Sequence, residues 1–302
     1  MVIRFTAFNF NLFNLVLFIF GLTVGSFINV VSLRYQPGRR VFDAKIIGGP
    51  TDWNNRSHCP YCGKILNWYE LIPIFSFLIQ LGRCRSCDHK LSFQYPIVEI
   101  LSGLIFVFVP WHITNLQSSI FNYSITFIWL IIFTLFLLLS IIDLRHMIIP
   151  NSLNLSLAIL GVINIFINNY YQRFNFLNGS FLGVYAPIFG LRENIWFNYL
   201  LASFFAVAIF GLIILISRGR AMGLGDLKLV ASLGLIFGWP DILIVLFLAF
   251  IIGALVGVIF LVLKKKKIKD MVPFGPFLVL GAGLTFFFGY QIISGYFRLF
   301  GI

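Results

Sequence analysis

The stretch LKLVASLGLIFGWPDILIVLFLAFIIGALVGVIFLVL, residues 227–263, decides the class of fold. Its 37 residues hold only one lysine, Lys228, and one aspartate, Asp241. A helix crosses a bilayer in about 20 apolar residues, so the run is too long for one span. Gly238-Trp239-Pro240-Asp241 supplies a turn in its middle. Two spans are therefore expected, 227–239 and 241–263, the first of them short. Outward from this stretch, further apolar runs lie near 8–31, 94–111, 120–142, 152–170, 196–217 and 272–297. The chain reads as an all-α polytopic membrane protein with about eight transmembrane helices. Composition agrees: 60% of the 302 residues are hydrophobic and 11% charged, against about a quarter charged in soluble domains. The first run continues through Leu33 with no small-residue cleavage site, so it reads as a retained span and not a signal peptide.

The net charge of +12 could point to nucleic acid, but its placement points to a membrane. With the N-terminus outside and eight spans, the inward segments carry 18 of the 22 Lys and Arg residues, and only Arg4, Arg173, Arg192 and Arg298 face out. Excess positive charge on cytoplasmic loops is the rule that orients polytopic proteins. The KKKKIK run at 264–269 fits as a stop at the cytoplasmic face, and no nucleic-acid partner is expected. The expected organisation is a first span in residues 1–31, a polar cytoplasmic segment in 32–93, and a transmembrane domain in 94–302. A second polar stretch, about 171–195, falls outside.

All four cysteines lie in the polar segment, as Cys59-x2-Cys62 and Cys84-x2-Cys87. Each pair makes a tight knuckle with converging thiolates, and two knuckles complete a tetrahedral S4 site, the usual geometry of structural zinc. Disulfides seldom persist in the cytoplasm. Four protein ligands leave no open position, so a bound Zn2+ would be structural, in a zinc-ribbon-like insertion between the first two spans. His58 and His89 flank the cysteines as surplus surface residues.

Two aspartates stand at the polar–apolar border, Asp143 in SIIDLRHMIIPN and Asp226 in AMGLGDLKLV. On the topology above both lie at the cytoplasmic face. A carboxylate beside a span is costly unless it meets water, a partner charge or a substrate. Two carboxylates about 3 Å apart cannot both ionise, so a pair can act as acid and base in hydrolysis. Gly223 and Gly225 permit unusual backbone angles and close approach of an extended substrate. Each aspartate also has a bland reading: Asp226 as a helix cap or partner of Arg218, Arg220 or Lys228, and Asp143 as partner of Arg145 or His146.

GLGDLKLVASLGLIFGW together with IIDLRHMIIPNSLN resembles the type IV prepilin peptidases, membrane aspartic proteases of the GxGD kind. The resemblance implies that Asp143, separated by six residues from Pro150-Asn151, and Asp226 of the Gly223-Leu224-Gly225-Asp226 stretch are the catalytic pair. It extends to GSFINVVSLRYQPG at 25–38, to both cysteine knuckles with their flanks, and to PFGPFLVLG at 273–281. Relatives of this kind are bifunctional, which implies a second activity: methylation of the new N-terminal amine with S-adenosylmethionine. Glu70, Gly82 and Arg83 are the methyl-transfer candidates, although no soluble-type glycine-rich nucleotide loop is visible. Glu99, inside a span, reads as one side of a structural ion pair with the basic segment.

The implied partners are type IV prepilins or pseudopilins, for pili or type II secretion, together with membrane lipid. The implied location is the bacterial inner membrane. The leader would be cut at the cytoplasmic face, with one carboxylate activating water and the other protonating the carbonyl oxygen. A peptidase without methylation, a cation-coupled transporter and a non-enzymatic scaffold are the competing readings. The transporter is disfavoured because both aspartates lie at a border and not at the midplane.

Overall fold

The computed structural model describes residues 11–43, 57–116, 122–171, 180–182, 185, 194–220, 222–264, 272–299 and 301. Among these the chain is helical, without strands. The helices are α1 Leu12–Arg34, α2 Phe75–Ile79, α3 Gln94–Leu116, α4 Asn122–His146, α5 Asn151–Tyr171, α6 Ile195–Ser217, α7 Leu224–Phe237, α8 Asp241–Val262 and α9 Gly275–Leu299, with a 3-10 turn at Trp68–Leu71. Seven of them are long and apolar enough to cross a membrane. Of the eight expected spans, the one that falls short is α7, at 14 residues. At 1.5 Å per residue it rises about 21 Å, less than the roughly 30 Å of a bilayer core. It stops at Gly238, whose φ of +72° cannot continue a helix and whose amide closes on the Gly234 carbonyl at 2.9 Å. The eight expected spans thus become seven long helices and a short one. Of the KKKKIK run only Lys264 is described, and of the 171–195 stretch little more than its ends and Ser180–Leu182.

The chain divides into two compact units, Val2–Leu138 and Leu139–Ile302. In the first, α1 packs on α3 through glycine. A Cβ at Gly21 would stand 2.8 Å from the Gly103 Cα, and one at Gly25 would stand 2.7 Å from the Glu99 Cα. In lipid no hydrophobic force drives helices together, so close backbone approach at small residues supplies the packing.

The second unit uses the same device, with polar locks added. A Cβ at Gly234 of α7 would collide with the backbone of Ser203 in α6, and one at Gly161 of α5 would press on Leu235 of α7. The buried Asn198 donates to the Trp239 carbonyl at 2.8 Å and accepts from the Trp239 amide at 3.0 Å. Ser232 of α7 donates to the Asn154 carbonyl of α5 at 3.1 Å. These bonds satisfy backbone groups that apolar surroundings would otherwise strand. They also fix the axial register of α5, α6 and α7, which sets the height of the site below.

Candidate functional site

Asp143 lies in the last turn of α4, 3% exposed. The helix ends just beyond it: the Met147 amide closes on the Asp143 carbonyl at 2.8 Å, and Met147 takes a φ of +54°. Pro150 then starts α5, its carbonyl accepting from the amides of Leu153 and Asn154. The Asp-x6-Pro-Asn stretch is therefore a helix end, a turn and a new helix start. Asp226 lies in the first turn of α7, half-buried. Its Oδ2 reaches back to accept from the Gly223 amide at 3.2 Å.

The two stretches meet. A Cβ at Gly225 would sit 3.3 Å from the Ile149 Cβ, so the glycine lets the α7 start lie against the turn that follows Asp143. Lys228 donates to the Asn151 side chain at 2.9 Å, a second tie between them. The candidate pair and its two glycines are thus brought to one place.

A third segment joins them that sequence reasoning did not assign to the site. The amide of Gly275, the first residue of α9, donates to Asp143 Oδ2 at 3.0 Å. A Cβ there would stand 2.5 Å from that same oxygen. Each aspartate therefore has one oxygen held by an amide at a helix start, where unpaired N–H groups and the helix dipole favour a carboxylate. Among the described residues no hydrogen bond is made to the other oxygen of either. The signal for Gly275 was its position between prolines in Pro273-Phe274-Gly275-Pro276, but a backbone donor 132 residues from its acceptor leaves no pattern to read.

The four cysteines also converge, with all sulfurs within 4.8 Å of one another and Cys59 Sγ 3.9 Å from Cys87 Sγ. A tetrahedral ion with S ligands at about 2.3 Å has sulfur–sulfur edges of about 3.8 Å, so the set fits a metal. The knuckles are built alike. Cys59 donates to the Lys64 carbonyl and accepts from Gly63; Cys84 donates to the His89 carbonyl and accepts from Asp88. The fourth residue after the leading cysteine takes positive φ in both, Gly63 at +71° and Asp88 at +54°. Amide hydrogen bonds from Ser86 and Cys87 hold the Cys84 thiol down to about 6. The His89 amide pulls Cys87 down, yet burial and the neighbouring sulfurs of Cys84, Cys62 and Cys59 push it up to about 12. His58 and His89 are exposed and stand outside the cluster, His89 stacking on Tyr61 at 3.4 Å between ring centres.

The methyl-transfer candidates are occupied within the fold. Glu70 is buried and accepts from the Asn67 amide at 2.8 Å, capping its own turn. Arg83 pairs with Asp88 at 2.9 Å, and Gly82 bonds to Phe77 and Leu91 through its backbone. Glu99 departs from the expected ion pair: its carboxylate takes the Ile74 amide at 2.8 Å and the Ser26 hydroxyl.

Two family profiles match the chain. The bacterial peptidase A24 N-terminal domain covers residues 19–113, including the four cysteines. The type IV leader peptidase family covers residues 129–258, including both aspartates. A prepilin leader peptidase/N-methyltransferase of Xanthomonas campestris is 30% identical over 295 residues, covering 93% of each chain. The chain belongs to the type IV leader peptidase family. A relative of the same name from Bacillus subtilis is 31% identical over 285 residues, 94% of this chain and 98% of that one. Another, from Legionella pneumophila, is 31% identical over 241 residues, 80% and 75%. No solved structure matches the chain. In this family's frame the two aspartates fall in the peptidase profile and the cysteines in the N-terminal one, while Gly275 lies beyond both.

Proposed function

We propose that this family member cleaves the leader from type IV prepilins or pseudopilins, with Asp143 and Asp226 as the catalytic pair. What supports the reading is that the stretches carrying the two carboxylates meet, through Gly225 against Ile149 and Lys228 on Asn151, with one oxygen of each aspartate held at a helix start, by Gly275 and by Gly223. One carboxylate takes a proton from water as the hydroxide adds to the scissile carbonyl carbon, and the other gives a proton to the carbonyl oxygen. The tetrahedral intermediate then collapses, and the leaving nitrogen takes a proton back from the pair. No covalent enzyme intermediate forms. The dyad titrates as a unit, so acid and base are shared roles.

The excess of Lys and Arg in the segments next to this site argues that the site faces the cytoplasm, in the bacterial inner membrane. The four-cysteine cluster is read as a structural Zn2+ site, because four thiolates leave no position for substrate. The N-terminal domain and the names of the relatives support N-methylation of the mature product as a second activity. S-adenosylmethionine would supply the methyl group. Glu70, Gly82 and Arg83 remain the candidates for that transfer.

The test is cleavage of a purified prepilin by the wild type, Asp143→Asn and Asp226→Asn, with the product weighed by mass spectrometry. Loss of at least about a thousandfold in both variants, with helical content unchanged, is expected of groups that act as a unit. Cleavage by either variant at the wild-type rate would reduce the aspartates to helix-end caps. A product one methylene heavier in the presence of S-adenosylmethionine marks the second activity, and its absence leaves a peptidase alone.

A further inference from the structure

The four-cysteine segment exposes a band of large apolar side chains that neither the cysteines nor the aspartates use. Phe75, Leu78 and Ile79 are exposed on α2, at spacings that put them on one face of its turn. Trp68 at 78% exposure and Leu81 at 87% flank it, and Phe93 is exposed beside them. The other side of α2 is occupied: Phe77 packs under Gly82 and against the Phe93 ring, 5.5 Å between centres.

The position of this band relative to a membrane is set by one bond. Ile74, immediately before α2, donates its amide to Glu99 Oε2 at 2.8 Å. Glu99 lies in the second turn of α3, whose residues Gln94–Thr114 are long and apolar enough to span. At 1.5 Å per residue, Glu99 stands about 8 Å in from the start of that span. Ile74 has φ +63° and ψ −53°, a conformation that a β-branched residue adopts only when its surroundings enforce it. The start of α2 is therefore tied to the level where the apolar part of α3 begins. Phe93, next to the first residue of α3, stands at the outer end of that span, about 9 Å along the axis from Glu99.

The described residues 57–93 that contain the band carry a net positive charge. Lys64, Arg85 and Lys90 are exposed, Arg83 is paired with Asp88, and Glu70 is buried under its own turn. An apolar face with Trp and Phe, in a segment with exposed Lys and Arg, is the composition of a surface that rests in the headgroup–acyl boundary of anionic lipid. A basic peptide would meet like charge here.

We propose that α2, with Trp68, Leu81 and Phe93, is an interfacial anchor that seats the four-cysteine segment on anionic phospholipid, in the same membrane that α3 crosses. This rests on the membrane reading of α3 and not on the peptidase reading.

The test uses the whole chain in nanodiscs of phosphatidylethanolamine and phosphatidylglycerol, with the photoreactive residue p-benzoylphenylalanine placed at Leu78, Leu81 or, as control, Asp88. Mass spectrometry after illumination should find phospholipid adducts at Leu78 and Leu81 in at least about fivefold excess over Asp88, falling when phosphatidylcholine replaces phosphatidylglycerol. Equal yields at all three positions, or adducts that move from lipid to an added prepilin, would overturn the anchor. As a second readout, Leu78→Gln with Leu81→Gln changes only exposed side chains. It should speed hydrogen exchange across residues 75–81 by about tenfold in nanodiscs; unchanged exchange sinks the proposal. Neither readout uses cleavage, so either can fail while the peptidase reading stands.

Discussion

The position most sensitive to a single atom is Gly275. Its amide is the donor that fixes Asp143 Oδ2, and a Cβ would stand 2.5 Å from that oxygen and 3.3 Å from Leu139 Cδ2. An alanine must push either the carboxylate or the start of α9. Displacement of a reacting group by about 1 Å costs on the order of a hundredfold in rate, so Gly275→Ala should lower kcat by about that factor with little change in KM. Steady-state cleavage of a prepilin, with circular dichroism as the folding control, measures it. A kcat within about twofold of the wild type would mean that the amide does not position Asp143. Asp143 and Asp226 could be singled out in the sequence through the resemblance that their flanking GxGD and Asp-x6-Pro-Asn stretches carry; a carboxylate at a span end by itself reads equally as a cap or an ion-pair partner. Gly275 could not be, because its contribution is a backbone N–H brought in by tertiary packing. Glu99 shows the same limit: its carboxylate could be flagged as costly inside a span, but its partner is the amide of a strained Ile74 and not the expected base.

At the scale of elements, apolar length located the long helices, and their ends moved only by the few residues that caps and prolines decide. What length could not show is which helices touch. The α1–α3 contact rests on Gly21, Gly25 and Gly103, three glycines among the 26 of the chain. The close approaches at Gly21 and Gly25 are to backbone and Cβ atoms, which cannot swing aside. Gly21→Ala and Gly25→Ala should each destabilise the first unit by about 1–3 kcal/mol, the usual cost of overpacking. By contrast, Gly211 of α6 and Gly257 of α8 have open space where a Cβ would go. Alanine there should be neutral or stabilising by up to about 1 kcal/mol, because helix propensity is the only change. Thermal unfolding of the four variants in one detergent reads the difference. Four equal midpoints would show that the glycines of α1 are not its packing surface.

At the scale of the molecule, the two carboxylates and every hydrogen bond described to them lie within Leu139–Ile302, while the cysteine cluster lies within Val2–Leu138. Zinc binding and peptide cleavage should therefore separate. Zinc binds thiolates, so protons compete with it. In the metal-free segment Cys84, held down to about 6, is already ionised at neutral pH, whereas Cys87, pushed up to about 12, must give up its proton to bind. Affinity should thus rise with pH through the neutral range. As pH falls through about 6, Cys84 is protonated too, one more proton must be displaced, and the loss of affinity steepens by about a further tenfold per pH unit. Competition with a chelator of known affinity at pH 5, 6, 7 and 8 would follow this, with one ion released per chain. A slope that does not change across about pH 6 would mean that Cys84 is not an ionised ligand in waiting. At pH 7, stripping the metal should unfold the knuckles, whose short hydrogen-bonded loops have little core of their own. Prepilin cleavage should nevertheless stay within about tenfold of the untreated enzyme, because among the described residues nothing that holds Asp143 or Asp226 belongs to the four-cysteine segment. A loss on chelation as deep as that of Asp143→Asn would show the opposite: that the segment takes part in presenting the scissile bond, and that the two units act as one catalytic body.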